Sequence, residues 1–220
     1  MYAPAPGPTH RLIPSQFPPI GLFDTVATAA DLKPVMDLAG WTNDRLVTER
    51  INRLPQDEWV FGRPNSSIIM AAFLHVVPGG MRFNRAELGA WYAAAALPTA
   101  VAEVAHHLRR ETVARGIPGS RRKYRQYISA LEGSYLDIRG QRAARTDVYD
   151  PQSYAASQPL GETVRASGRG GILYDSLRYA GGINVVAHRP RNIINVTQAN
   201  HFEISVQVAV NRVEVRKLTA

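Results

Sequence analysis

The chain contains no cysteine among its 220 residues. This absence excludes a disulfide scaffold, a thiolate nucleophile and every zinc or iron–sulfur site that needs a cysteine ligand. No apolar run approaches the ~20 residues that a membrane-spanning helix requires, and the proline-rich residues 1–19 lack the apolar centre of a signal peptide. We therefore expect a soluble, cytoplasmic protein with no membrane partner.

Lysine is scarce, so the formal net charge of +8 comes almost entirely from arginine. The planar guanidinium suits phosphates and carboxylates of small molecules as well as nucleic acid. Most of the excess lies in residues 109–125, where seven cations accompany Glu111. We predict an exposed loop over residues 111–123. No nucleic-acid-binding pattern accompanies it, so we expect no direct nucleic-acid partner. A non-enzymatic module that contacts an acidic partner or nucleic acid through residues 109–125 stays an alternative.

The length is sufficient for one domain with a sizeable core. We predict that residues 1–58 form a proline-rich arm and a short helical extension, with helix caps at Asp24 and at Thr42 or Asn43. Residues 59–220 form the main domain, in which helices are predicted from Pro98 to Arg110 and from Asp150 towards Arg165. Strands are predicted at 68–77, 89–94, 124–131, 134–138, 171–174, 183–188, 193–196, 202–210 and 212–218. Because the two kinds of element do not alternate, the fold class is α+β.

The familiar catalytic signatures are also absent, including the phosphate-binding loop, the nucleophile elbow and the zinc-binding H-E-x-x-H motif. Glu103 precedes His106 and His107 by three and four residues on the predicted helix. Such a pair supplies only two ligands, and no second cluster completes a metal site. We therefore expect no metal, and interpret His107 as a partner that orients the Glu103 carboxylate.

Three segments in a fixed order indicate a family. They are Gly80-Met81-Arg82-Phe83-Asn84, then Gly89-Ala90-Trp91-Tyr92-Ala93-Ala94 leading to Glu103, and Gly170-Gly171-Ile172-Leu173-Tyr174-Asp175-Ser176-Leu177-Arg178 followed by Gly181-Gly182. Together they resemble the RES-domain family, which is named for an arginine, a glutamate and a serine. The likeness covers residues from about 60 to 190.

The resemblance implies a single domain with the fold of ADP-ribosyltransferase toxins. It implies NAD+ as a substrate, no resident cofactor, and cleavage of the nicotinamide–ribose bond with inorganic phosphate or water as the acceptor. The alternative is mono-ADP-ribosylation of a protein. It also implies the toxin of a toxin–antitoxin pair, whose antitoxin carries an Xre-like DNA-binding domain. The sequence leaves open whether the chain forms a homo-oligomer.

Carried over by motif, the resemblance implies catalytic roles for Arg82, Glu103 and Ser176 and substrate-binding roles for Tyr92, Asn84 and Arg178. A carboxylate near the ribose stabilises the positive charge of an oxocarbenium-like transition state, and arginines suit the diphosphate. Tyr92 could stack on nicotinamide, and Ser176 could hydrogen-bond the ribose, the carboxamide or a phosphate.

One departure from the family pattern concerns an early strand on which many members carry a Tyr-Arg pair. We align that strand with residues 71–75, where Phe73 is the aromatic residue and no arginine occurs. The role of this arginine is then lost or taken over by another residue, such as Arg63 or Arg178.

Overall fold

A nine-stranded sheet organises the described part of the chain. The computed structural model describes residues 1–17, 21, 23–28, 30–31, 34, 49–210 and 212–219. In chain order the strands are β1 (Tyr2–Pro4), β2 (Thr9–Pro14), β3 (Trp91–Ala94), β4 (Gly119–Leu131), β5 (Ser134–Asp137), β6 (Gly171–Asp175), β7 (Ile183–Ala187), β8 (Ile193–Gln207) and β9 (Val213–Leu218). They lie side by side in the order β1-β5-β6-β7-β3-β2-β4-β8-β9.

The sheet is mixed, because β5 and β6 pair in parallel and the other neighbours pair antiparallel. The helices that the structure describes from end to end pack against it: α1 (Ser66–Leu74), α2 (Leu97–Ala114) and α3 (Ser157–Ala166). Two single-turn 3-10 helices occupy Gln56–Glu58 and Pro190–Asn192. These elements form one domain of mixed α and β structure, as the α+β prediction required.

The helices divide between the two faces of the sheet. Helix α1 contributes to a core around Phe73, Trp91 and Tyr127. On the opposite face, α2 covers β2, β4 and β8 through Leu108 and its neighbours. Helix α3 packs beside it on β6 and β7, where Val164 belongs to a third cluster. The face that α2 and α3 share is the one that carries the candidate site.

The proline-rich arm contributes two strands to this sheet. β1 pairs with β5 at one edge, and β2 lies in the interior between β3 and β4. Most of the two predicted N-terminal helices, with their caps at Thr42 or Asn43, lies outside the described residues. Asp24 does not cap the first of them: its carboxylate accepts hydrogen bonds from the N–H groups of Asn65 and Ser67, where α1 begins. Such an acceptor stabilises the helix N-terminus.

The strand predicted at 68–77 is wrong, because these residues form most of helix α1. The run is buried on nearly every side, so it shows no amphipathic period that separates a helix from a buried strand. Its middle, Met70 to Leu74, consists of good helix formers apart from Phe73. The short length of the apolar run was the reason for predicting a strand. A short helix that is buried on nearly every side has the same apolar pattern.

The loop predicted at 111–123 is also wrong. Helix α2 continues to Ala114, and β4 begins at Gly119, so only residues 115–118 connect them. Glu111 explains the extension, because its carboxylate pairs with both Arg115 and Arg122 at 2.9 Å. Cross-strand pairing with β8 then holds the basic residues in an extended conformation.

Two further elements differ in their bounds. The helix predicted from Asp150 begins instead at Ser157, and the Asp150 carboxylate accepts from the N–H groups of Gln152 and Ser153 in a turn. Pro159 is the third residue of the helix, where its missing N–H breaks no helical bond. The strands predicted at 193–196 and 202–210 are one bent strand, β8, with register shifts against β4.

Candidate active site

A cleft of about 420 Å³ opens beside α2, near the middle of the sheet. Its walls come from α2, from strands β2, β3 and β7, and from the segment that links α1 to β3. Tyr154, in the loop before α3, and Arg178, in the turn after β6, complete it. All the side chains predicted from the family resemblance except Ser176 line this cleft: Arg82, Asn84, Tyr92, Glu103, His107 and Arg178.

Glu103 lies on the second turn of α2 and is held by two hydrogen bonds. Ser176 Oγ donates to its Oε1 atom at 2.7 Å, and Asn184 Nδ2 donates to the same atom at 2.6 Å. Both donors are buried. Because Oε1 accepts both bonds, the carboxylate is fixed in orientation, while Oε2 takes part in neither.

Strand register explains how residues so distant in sequence meet. Asn184 on β7 is paired with Tyr174 on β6 and with Ala94 on β3, so these three side chains share one face of the sheet. Helix α2 begins three residues after Ala94 and carries Glu103 over that face. A shift of one residue in β7 would turn Asn184 to the other face and remove its bond to Glu103.

Ser176 directly follows β6 and organises a tight turn. Its Oγ accepts hydrogen bonds from the N–H groups of Arg178 and Tyr179 at 3.0 and 3.1 Å while it donates to Glu103. The turn closes through the Ser176 N–H, which donates to the carbonyl of Gly182. A Cβ at Gly182 would lie 2.7 Å from Thr99 Oγ1, which explains why α2 approaches this turn at a glycine. Ser176 is therefore a buried positioning group for Glu103.

Arg82 and Arg178 place positive charge on the same cleft. Arg82 Nη1 donates to the carbonyls of Val148 and Asp150, both at 2.9 Å, and its guanidinium lies 5.0 Å from the Tyr154 ring centroid. Arg178 Nη2 donates to the Pro151 carbonyl at 3.3 Å. Both arginines thus hold the loop that precedes α3, and a guanidinium has further N–H donors with which to bind an anion.

Tyr92 and Asn84 form a hydrogen-bonded pair in the wall of the cleft. The Tyr92 hydroxyl donates to Asn84 Oδ1 at 2.8 Å and accepts from the Phe83 N–H at 2.9 Å. Burial raises the pKa of Tyr92, so the phenol stays protonated and can donate. The Asn84 amide also donates to the carbonyls of Arg85 and Leu88. Asn84 is fully buried, so its observed role is to position the segment that carries Arg82.

The two histidines of α2 lie at the cleft rim with their rings 5.7 Å apart. Burial, together with the nearby charge of Arg178, lowers the pKa of His106 to about 4, so this ring is neutral at physiological pH. His107 is exposed, and the hydrogen bonds to Glu103 described above come from Ser176 and Asn184. The hydrogen bonds that orient the carboxylate thus come from those two residues, while the Glu103 charge favours the protonated form of His107 and raises its pKa against the larger lowering by desolvation.

A third cation, Arg11, was not anticipated as a site residue. It lies on β2 and lines the cleft, where Nη1 donates to the Tyr92 carbonyl at 2.8 Å. Its guanidinium lies 4.7 Å from the Trp91 ring centroid. Burial lowers the pKa of Arg11 to about 10, which still leaves it cationic at neutral pH.

The position of Arg11 changes which residue we compare with the arginine that many family members carry on an early strand. The segment aligned with that strand, residues 71–75, belongs mainly to α1, whereas β2 is the early strand beside β3. Arg178 lies in the cleft, as described above. Arg63 instead donates to the Ile193 carbonyl and is not among the residues that line the cleft.

Metal and membrane features were sought in the same described ranges. They contain no group of three or more His, Asp or Glu side chains that could hold a metal ion. None of their helices combines the length and the apolar character needed to cross a bilayer.

Comparison with protein-family models shows which family the chain belongs to. The family model described as the RES domain matches residues 50–207, which is well over half of the 220-residue chain. The chain belongs to the RES-domain family. No curated protein matches the chain. The RES assignment is consistent with an NAD-related toxin activity at the family level, and RES domains are known from toxin–antitoxin contexts.

Within this RES domain, the arginine, glutamate and serine predicted from the family name meet around one cleft. Asn184 was missed by sequence reasoning, although it donates to the same oxygen of Glu103 as Ser176 does. The only signal for it was an asparagine inside an apolar strand pattern, Ile183 to Ala187. A polar residue buried in such a strand needs a partner, which makes it a candidate site residue.

Proposed function

We propose that the cleft binds NAD+ and cleaves its nicotinamide–ribose bond. The observation that carries this proposal is the fixed carboxylate of Glu103, held at one oxygen by Ser176 and Asn184 in a cleft that also contains Arg11, Arg82 and Arg178. One oriented anion among several cations fits a substrate that has a diphosphate and develops positive charge on a neighbouring sugar. Membership of the RES family supports the same assignment.

The carboxylate acts on the ribose. When the bond between nicotinamide N1 and ribose C1′ breaks, its electron pair leaves with nicotinamide, which becomes a neutral molecule. Positive charge develops at C1′ and the ring oxygen, and a carboxylate fixed nearby stabilises that charge more than it stabilises the ground state. Because Ser176 and Asn184 hold Oε1, the carboxylate needs little reorganisation as the charge forms.

The arginines act on the diphosphate. Guanidinium groups bind phosphate oxygens through parallel N–H donors, which gives both charge neutralisation and a defined orientation. Arg82 and Arg178 are tied to backbone carbonyls of residues 148–151, so their side chains are ordered before a ligand arrives. Such preorganisation lowers the entropic cost of binding.

The acceptor completes the reaction. In phosphorolysis a phosphate oxygen forms the new bond to C1′, and the products are nicotinamide and phosphorylated ADP-ribose. In hydrolysis water forms that bond, loses a proton and gives ADP-ribose. Because Arg82 and Arg178 line the same cleft as Glu103, they favour an anionic acceptor, so phosphorolysis is the first expectation. The same proposal includes two further points. The domain has an ADP-ribosyltransferase-like fold, and its partner is an antitoxin with an Xre-like domain.

The experiment is an incubation of the purified chain with NAD+, with and without inorganic phosphate, followed by chromatography of the products. Phosphate-dependent formation of nicotinamide and phosphorylated ADP-ribose supports phosphorolysis, and ADP-ribose in both samples supports hydrolysis. Label from biotinylated NAD+ on an added protein instead indicates ADP-ribosylation. Intact NAD+ in every sample, with a folded protein, refutes the proposal.

A further inference from the structure

A group of basic residues lies around the β8–β9 end of the sheet, and none of them lines the cleft. We define the hairpin surface as the C-terminal end of α2, the first half of β4 and the β8–β9 hairpin. It carries eight cations against the three glutamates 111, 203 and 214: Arg109, Arg115, Arg121, Arg122, Lys123, Arg212, Arg216 and Lys217. Several of the cations pair with these glutamates, but the surplus of five positive charges is local.

Strand β9 gives this surface an open sheet edge. It pairs with β8 on one side, and among the described residues no further strand pairs with its other side. Every residue from Val213 to Lys217 is exposed. An edge strand presents a row of unpaired N–H and C=O groups that can hydrogen-bond another extended chain.

The two faces of β9 differ in character. Val213 and Val215 are paired with the buried Val206 and Ile204 of β8, so they continue the apolar face that α2 covers over β8. Helix α2 does not cover β9, and these valines are 42% and 45% exposed. Glu214 and Arg216 alternate with them and point to the opposite, polar face.

Helix α2 holds the turn of the hairpin through one side chain. Arg109 on α2 donates to the carbonyls of Val208, Val210 and Arg212, which lie in the turn between β8 and β9. On the polar face, Arg216 pairs with Glu203 at 2.9 Å. The edge is therefore ordered before any partner binds, which lowers the cost of strand addition.

We propose that β9 is a docking edge for an acidic protein segment that binds in an extended conformation as the next strand of the sheet. Side chains of an added strand alternate between the same two faces as those of β9. The matching segment therefore alternates apolar residues, which cover Val213 and Val215, with acidic residues that face the surplus of arginine. This inference is independent of the NAD+ chemistry proposed for the cleft.

Charge excludes a second copy of the chain as the preferred occupant. Two hairpin surfaces brought edge to edge would place their surplus cations against one another, and like charges across an interface are costly. A nucleic acid would satisfy the charge, but it would leave the exposed valines and the open backbone groups of β9 unused. An acidic polypeptide satisfies the charge, the apolar strip and the sheet edge together.

The test uses a fluorescein-labelled, end-blocked peptide of about eight residues in which valine and glutamate alternate, titrated with the purified chain. We expect saturable binding that weakens at high salt. Arg216→Glu, on the polar face of β9, and Val215→Ser, on its apolar face, should each weaken it about fivefold or more. The matched control Arg53→Glu, an exposed arginine outside the hairpin surface, should leave the affinity unchanged.

Backbone pairing has its own readouts. The same peptide with every amide N-methylated should not bind, and the normal peptide should slow hydrogen exchange of β9 amides. The proposal is overturned if the peptide does not bind, if N-methylation has no effect, or if Arg216→Glu behaves like Arg53→Glu. It is equally overturned if a DNA duplex displaces the peptide from β9, or if sedimentation shows that a second copy already occupies this edge.

Discussion

Removal of the Asn184 side chain tests whether orientation of Glu103 matters for the proposed reaction. In Asn184→Ala, Oε1 of Glu103 loses the donor at 2.6 Å and keeps only Ser176. A hydrogen bond to a charged group contributes about 1.5–3 kcal/mol. If that contribution is expressed in the transition state, kcat/KM for NAD+ falls by about 10- to 100-fold.

The assay is the initial rate of nicotinamide release at several NAD+ concentrations, which separates kcat from KM. Because Asn184 bonds to the carboxylate and to no atom of the substrate in this account, the loss should appear mainly in kcat. Asn200→Ala is the matched control, since this asparagine also donates its amide to a side-chain oxygen, that of Gln126, away from the cleft. Thermal unfolding of both variants checks that the fold is kept.

The reasoning is refuted if Asn184→Ala turns over NAD+ as fast as the Asn200→Ala control. A loss confined to KM would also refute it, because that pattern reports removal of uniform substrate binding and not of an interaction with the transition state. A second donor substitution sharpens the result. The double variant with Ser176→Ala should lose less than the product of the single losses, because both donors act on one oxygen.

Two stability predictions follow from buried polar groups. Tyr92→Phe removes the hydroxyl that bonds to the Phe83 N–H and to Asn84 Oδ1, and should lower the free energy of unfolding by about 1–3 kcal/mol. Denaturant unfolding measures this loss. An equal loss in Tyr179→Phe, an exposed control, would contradict the prediction. Burial holds the pKa of His188 well below 6.5, so below pH 6.5 the unfolded chain binds a proton that the folded chain excludes, and stability falls as the pH drops. His188→Leu should therefore reduce the loss of unfolding free energy between pH 7 and about 5, and an unchanged loss in urea titrations would show that this histidine is not a cause.

Local signals were enough to predict some of the fold. Pro98 marks the start of α2 because a proline at the first turn of a helix costs no hydrogen bond. The hairpin of β8 and β9 was predicted from alternation on both sides of Asn211, and pairing of Val206 with Val213 agrees with it. Both elements depend mainly on residues that are close in sequence.

Elements whose character depends on distant contacts were not predicted correctly. Helix α1 is apolar on nearly every side because the sheet and the N-terminal segment cover it. Its sequence therefore has the same apolar pattern as a buried strand. β2 was interpreted as part of an extended arm, because the pairing partners that make it an interior strand, at Ala94 and at residues 124–129, are more than 80 residues away. No local pattern encodes such pairing.

The residues of the candidate site also form two groups, those that sequence motifs predict and those that only the structure identifies. Glu103 and Ser176 could be named from the motifs of the RES family, and their hydrogen bond spans 73 residues of sequence. Asn184 and Arg11 could not be named, because their access to the cleft depends on strand register and on the position of β2 in the sheet. Motifs therefore identified Glu103 and one of the two donors that hold it, whereas the second donor, Asn184, and the cation Arg11 required the structure.

The most direct test of the account compares NAD+ turnover by the wild-type chain, Glu103→Gln and the matched control Glu87→Gln, an exposed glutamate outside the cleft. The amide keeps the shape of the carboxylate but removes the charge that the oxocarbenium-like state requires. We predict that Glu103→Gln releases nicotinamide at least about 100-fold more slowly than wild type, while Glu87→Gln is unaffected. Equal rates for the two variants would contradict the assignment of Glu103.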